Sequence, residues 1–190
     1  MKRSGIITII VIGLILVAVV AGYAINLNRK TKAAAEADVQ ATAVQKVLMR
    51  DLERNYPPSP KEVVRYFAEI TQCFYNEDYT QDELNQLAEK IQGIYDAELI
   101  ENKSQEDYLN DLSSEIADMK KGNYTISSYV LSASVDVEEF TENGYSCARL
   151  YCTFNVKQGN NSPIPSMEQF VLRKDEDGHW KIYGWELVKD

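Results

Sequence analysis

Hydrophobic and polar positions divide the chain into three stretches with different periods. From Ser4 to Asn28 there is no charged side chain, and Ile6 to Val20 is nearly all Ile, Val, Leu and small residues. At about 1.5 Å per residue, a helix over Gly5–Leu27 covers a hydrocarbon core of about 30 Å, so a membrane span is expected there. The rival is a cleaved signal peptide, with Lys2 and Arg3 as its basic start and Val19/Ala21 or Gly22/Ala24 as cleavage positions. A signal core runs to roughly 7–15 apolar residues, and this run is longer, which favours the anchor. After a basic collar of Arg29, Lys30 and Lys32, Thr31 to Tyr56 places Val44, Val47, Leu48 and Leu52 at helical spacing. A helix over Thr31–Tyr56 is therefore expected, a stalk partly packed on the domain within a collar-and-stalk segment over 29–58, stopped by Pro57, Pro58 and Pro60.

Three capped helices follow. Ser59, with Pro60 next and Glu62 three residues on, predicts a start whose inward face is Val63, Phe67, Ile70 and Phe74. Thr80 with Glu83 opens the second, with Leu84, Leu87, Ile91 and Tyr95 inward. Ser104 with Asp107 opens the third, carrying Tyr108, Leu112, Ile116 and Met119 and ending at Gly122.

From Tyr124 the period shortens to two. Tyr129, Leu131, Ala133, Val135 and Val137 alternate with polar residues, and Asn143-Gly144 supplies a tight hairpin turn. Tyr145 to Lys157 then turns Ala148, Leu150, Cys152, Phe154 and Val156 to one face and Arg149, Thr153 and Asn155 to the other. A polar loop over Gly159–Pro165 precedes a strand over Met167–Lys174. After the acidic turn Asp175–Gly178, the last strand carries Trp180 and Ile182 inward, then slips to Trp185 and Leu187 around Gly184, as at a bulge. Helices followed by an antiparallel meander predict an α+β domain over 59–190: about three helices on one face of a curved sheet of about four strands.

Composition limits the partners. The chain has 190 residues with formal net charge −9; five of its 20 basic residues precede the first acid, Glu36, leaving 15 against 29 acids, a net of −14. Such a surface repels phosphate backbones, so nucleic acid is not an expected partner. Bases flank both ends of the span and leave the positive-inside rule nearly balanced, even tipped towards a cytoplasmic C-terminal side. A short basic N-terminus with a long exported domain is the commoner architecture, and an extracytoplasmic domain at the cell membrane is expected. Cys73, Cys147 and Cys152 are odd in number, and Cys147 and Cys152 face opposite sides of one strand, which predicts buried free thiols.

The ending Phe170-Val171-Leu172-Arg173-Lys174-Asp175-Glu176-Asp177-Gly178-His179-Trp180-Lys181-Ile182 resembles the last hairpin of the nuclear-transport-factor-like, or cystatin-like, superfamily. In element order the resemblance reaches from about Ser59 to Val188. With the N-terminal span and the stretch Tyr56–Val64, the whole chain is similar to small membrane-anchored bacterial proteins of unknown function. The resemblance implies a cone-shaped α+β fold. Isomerase and dehydratase members of that superfamily place an Asp base, often with a His, in the cone; the sole histidine here, His179, follows a tight turn, and no such dyad can be assigned.

No candidate chemistry stands clear of its structural alternative. His179 reads as a strand-end residue before a base or ligand, and Asp175, Glu176 and Asp177 read as a hairpin turn before a calcium loop. Tyr129, Tyr151, Trp180, Tyr183 and Trp185 are the candidate ligand-binding aromatics, with cross-strand packing as their alternative. Arg29, Lys30 and Lys32 are placed against lipid head groups. Phosphate-loop, dinucleotide, zinc-protease and serine-hydrolase motifs are missing, so no cofactor, metal or catalytic residue is expected. The expected function is a membrane-anchored, non-enzymatic binding or assembly module. It touches lipid through residues 5–27 and meets a second copy or another protein through its sheet face. The alternative is a small-molecule-binding or isomerase-like enzyme using the interior of the cone.

Overall fold

The computed structural model describes residues 41–188. The span expected over Gly5–Leu27 and the collar Arg29, Lys30 and Lys32 lie outside the described residues. Among the described residues no helix is long and apolar enough to cross a membrane.

The described chain is α+β, with five helices, one of them in the expected stalk, and a five-stranded antiparallel sheet; within 59–190 there are four helices where about three were expected, and five strands where about four were. The stalk expected over Thr31–Tyr56 is, in its described part, helical only over α1 (Ala43–Leu48). That turn is built into the domain: Val44 and Val47 are buried in the main core, and the Tyr66 hydroxyl donates to the Val47 carbonyl at 3.2 Å. The compact unit accordingly begins at Ala43, ahead of the boundary expected at residue 59.

α2 (Pro60–Asn76) is the central helix. Ser59 caps it, accepting from the Glu62 amide at 3.2 Å, and Pro60 takes the first position, where a missing N–H costs nothing. Its buried face includes Val63, Phe67, Ile70 and Phe74, the predicted stripe. At its C-terminal end the Asn76 side-chain amide both donates to and accepts from the Ile126 backbone at 2.8 Å, so this helix end is pinned to the sheet. α3 (Gln81–Gln92) carries the full capping box of Thr80 and Glu83 and buries Leu84, Leu87 and Ile91. A single helical turn, α4 (Ala97–Glu101), has no predicted counterpart; Asp96 caps it by accepting from the Glu98 amide. α5 (Gln105–Lys121) starts at Ser104 as expected. Its cap Gly122 keeps a right-handed conformation, and Asn123 takes the left-handed one, φ 55°.

The strands run in the order β1-β3-β4-β5: β1 (Tyr124–Leu131), β3 (Tyr145–Gln158), β4 (Ile164–Lys174) and β5 (Trp180–Leu187). β2 (Glu138–Glu142) pairs with β3 beyond the end of β1, so the two share one edge. The continuous alternation expected through Val137 is broken. Leu131 pairs with Cys152 and Glu138 with Arg149, leaving residues 132–137 to bulge out opposite only Leu150 and Tyr151. A 3₁₀ turn over Ser134–Asp136 fills that bulge, and Val135 is 90% exposed. Asn143 and Gly144, at φ 51° and 85°, make the predicted primed hairpin turn.

The slip at Gly184 is a β-bulge: Val171 pairs with Gly184 but Leu172 pairs with Ile182. It places Tyr183 outward and returns Trp185 to the inner face opposite Phe170. The outer edge of β5 is covered, since Ile182 donates to the Ile94 carbonyl and accepts from the Asp96 amide, both at 2.9 Å. Asp96 itself is 4% exposed and receives Arg173 in a two-pronged ion pair at 2.5 and 2.6 Å.

Candidate functional site

The inner face of the sheet is not filled along its whole length. Between β1, β3 and β4 on one side and α2, α4 and α5 on the other lies a cavity of about 520 Å³, within the range of small-molecule sites. Its walls are apolar where the predicted stripes meet: Phe67 and Phe74 from α2, Leu112 and Met119 from α5, Phe154 and Val156 from β3. α5 buries only Ile116 fully, because Tyr108, Leu112 and Met119 look into the hollow.

A carboxylate sits on the sheet side of this cavity. Strand parity decides its direction: Phe170 and Leu172 are fully buried on the inner face of β4, so Glu168 also points inward, beside Cys152 on β3. Among the described residues the Glu168 carboxylate has neither hydrogen-bond donor nor counter-ion. Burial pushes its pKa up from 4.5 to about 7, and the negative charge of Glu115 across the cavity adds to the rise.

Tyrosines complete the polar part. The Tyr75 hydroxyl donates to the Glu115 carboxylate. Burial and that bond hold Tyr75 protonated far into the alkaline range. Tyr95 and Tyr108 hydrogen-bond through their hydroxyls, and burial raises both. Among the described residues the lining has one basic side chain, Lys103, and it is paired with Asp111. Those residues therefore offer carboxylates and neutral phenols against an apolar wall, with no unpaired cation. Such a set can hold an apolar body with a polar end, and a carboxyl titrating near neutrality can exchange protons with it.

Of the aromatics singled out from sequence, only Trp185 reaches the cavity. It is 40% exposed at the mouth, with its ring 5.1 Å from Phe67 and 5.6 Å from Tyr95. Tyr129 is half-buried against the core on β1 and is not part of the lining. Trp180 is a core residue with Lys174 over its ring at 4.9 Å. Tyr151 and Tyr183 lie on the outer face. The Tyr151 hydroxyl accepts from Gln169 at 2.6 Å, and Tyr183 and Tyr145 flank the Arg173 guanidinium at 4.7 and 4.6 Å. Glu168, Glu115, Tyr75, Tyr95 and Tyr108 were not among the candidates. The signal for Glu168 was present, since counting back by two from Leu172 and Phe170 lands on an acid at an inward position.

Asp175, Asp177 and His179 bring their ligand atoms within 4.8 Å of one another. Their groups already have work in the turn. Asp175 accepts from the His179 amide at 2.8 Å and lies 3.9 Å from the Lys181 ammonium, while the His179 ring stacks on Tyr56 at 4.3 Å. The three thiols are free and buried, and burial pushes Cys73 and Cys152 up to about 12.

No curated protein matches the chain. A family does, over residues 1–185, and the chain belongs to it: the domain of unknown function DUF6715.

Proposed function

We propose that this protein is a membrane-anchored binding module whose cone-like, nuclear-transport-factor-like domain takes a small molecule into its interior. The observation that carries the reading is the cavity of about 520 Å³ between α5 and the sheet, apolar on its walls and holding a carboxylate without a partner. Burying a charged group without compensation costs several kcal/mol, so a fold that keeps one beside an open hollow has a use for it. Apolar side chains of α5 facing space instead of core point the same way. The anchoring part rests on the uncharged stretch from Ser4 to Asn28, with the folded domain outside the cytoplasm.

Two measurements test the reading. Calorimetric titration of the full-length chain in maltoside micelles with a neutral arylalkyl probe, 3-phenylpropanol, should show saturable binding that is lost in Leu112→Trp, where an indole fills the hollow. Equal heats for both proteins refute the cavity. Alkaline washing of membranes should leave the chain in the pellet, and its release to the wash refutes the anchor.

A second reading, an isomerase-like acid–base enzyme in the same interior, draws on Glu168 titrating near neutrality beside Tyr75, Tyr95 and Tyr108. It requires a bound molecule to be converted. Unchanged recovery of every bound ligand after long incubation leaves only the binding role.

A further inference from the structure

We infer that the cavity selects organic cations: a ligand whose ammonium sits between Glu168 and Glu115 and whose apolar body lies against Phe67, Phe154, Leu112 and Trp185. This rests on the binding role proposed above and names the class of molecule it serves.

The lining of the cavity is complementary in charge to a cation. Among the described residues three acids line the cavity, Asp111, Glu115 and Glu168, against one base, Lys103, and Lys103 is already committed to Asp111. Glu115 receives a proton donor from Tyr75, which leaves its remaining lone pairs open towards the hollow. Glu168, from the opposite wall, has no donor at all among the described residues. Both carboxylates line the same cavity, so one bound ligand can meet both.

The phenols do not offset this charge. Tyr75 is spent on Glu115, and Tyr95 and Tyr108 are bonded to each other. An anionic head group, a fatty carboxylate or a phosphate, would meet two like charges and no free base. A neutral ligand would leave Glu168 as it is. An ammonium supplies up to three N–H donors and the missing positive charge, and charge-assisted bonds are about twice as strong as neutral ones. At the mouth, the half-exposed Trp185 ring offers a π face to a cation entering from solvent. A metal ion is the poorer fit, because half of this cavity is apolar wall that a small hydrated ion leaves empty.

The test uses three probes that share one skeleton: 3-phenylpropylamine, 3-phenylpropanol and 3-phenylpropanoate, titrated calorimetrically into the full-length chain in maltoside micelles, with protein-free micelles as the blank. The amine should bind about tenfold more tightly than the alcohol, the worth of roughly one charge-assisted bond, and the carboxylate should not bind. In Glu168→Gln the amine should fall to the affinity of the alcohol while the alcohol stays unchanged. Glu115→Gln, which keeps a hydrogen-bonding partner for Tyr75, should reduce the amine preference to an intermediate value. If the alcohol binds but the amine gains nothing, or if both variants keep the amine preference, the cation assignment is overturned and the cavity role survives. If no probe binds, or if Leu112→Trp binds the amine as the unaltered chain does, both fall.

Discussion

Replacing Glu168 by Gln should stabilise the ligand-free protein by an amount that grows as pH rises from 4.5 to about 7 and is constant above that. The folded state raises the Glu168 pKa from 4.5 to about 7, chiefly by burial and secondarily through Glu115. Between those two values the folded chain holds a proton that the unfolded chain releases. The favourable contribution of the neutral carboxyl is complete below pH 4.5 and is lost as pH rises through 7. At about 1.4 kcal/mol per pKa unit the full rise corresponds to roughly 3 kcal/mol. The carboxylate reaches solvent through the open side of the cavity, so screening leaves on the order of 1.5 kcal/mol. Gln keeps the shape and hydrogen-bonding capacity but never ionises, so this loss does not occur in the variant.

The assay is urea unfolding of the full-length chain and of Glu168→Gln, at pH 4.5 and pH 8, followed by the fluorescence of its two tryptophans. Contributions of other groups to the pH dependence are common to both proteins and cancel in the difference. The expected difference is near zero at pH 4.5 and ~1.5 kcal/mol in favour of the variant at pH 8. An equal difference at both pH values, or a variant less stable at pH 8, would show that Glu168 is well solvated or secretly paired, and would remove the cavity's charge from the argument.

Other consequences follow from the fold. Ser59→Ala removes the cap from the central helix and should cost about 1 kcal/mol in chemical denaturation, whereas Ser59→Asp, which restores an acceptor, should not. Arg173→Met strands Asp96 in a buried site without its two-pronged partner, and a loss on the order of 3 kcal/mol is expected by the same method. Cys73 and Cys152, pushed up to about 12 by burial, should resist iodoacetamide at pH 8 in the native chain and react fully in urea; labelling of the native protein would show that the core opens on the timescale of the reaction.

What could be read in the sequence followed the range of the interactions involved. The starts of α2, α3 and α5 were legible because a cap and its acceptor lie within three residues of each other. The one-turn α4 has a cap but buries none of its residues, so no stripe marked it. The break between β1 and β2 was invisible because Ala133, Val135 and Val137 continue the alternation; only the pairing of β3 with both strands shows six residues looping out. Helical spacing in Val44 and Val47 suggested a stalk partly packed on the domain, and burial shows one turn inserted into the core. Aromatics drew the search for a site to both faces of the sheet, but Tyr151 and Tyr183 are satisfied on the outer face by Gln169 and Arg173. The inward Glu168 could be had from parity, yet parity says which way a side chain points and nothing about what stands opposite.

That last limit applies with most force to α5. Its inward stripe is as regular as that of α2, but Ile116, 6% exposed, is the only residue it buries, and three stripe residues border empty space. Its polar attachments are few: Lys103 meets Asp111, Tyr75 donates to Glu115, and Lys120 reaches the Glu77 carbonyl at 3.3 Å. A helix with so little buried over a hollow should be among the less stable parts of the domain, and its middle amides, residues 109–119, should exchange with solvent faster than those of α2. A molecule that fills the hollow supplies the missing contacts only in the closed arrangement. At about one hundred times its dissociation constant it should add ~2.7 kcal/mol to the cost of opening, slowing exchange there roughly a hundredfold. Hydrogen exchange of the full-length chain with and without 3-phenylpropylamine makes the comparison directly. Protection in α5 equal to that of α2 before any ligand is added would mean that the hollow costs the helix nothing, and unchanged exchange at saturation would mean that the ligand sits elsewhere.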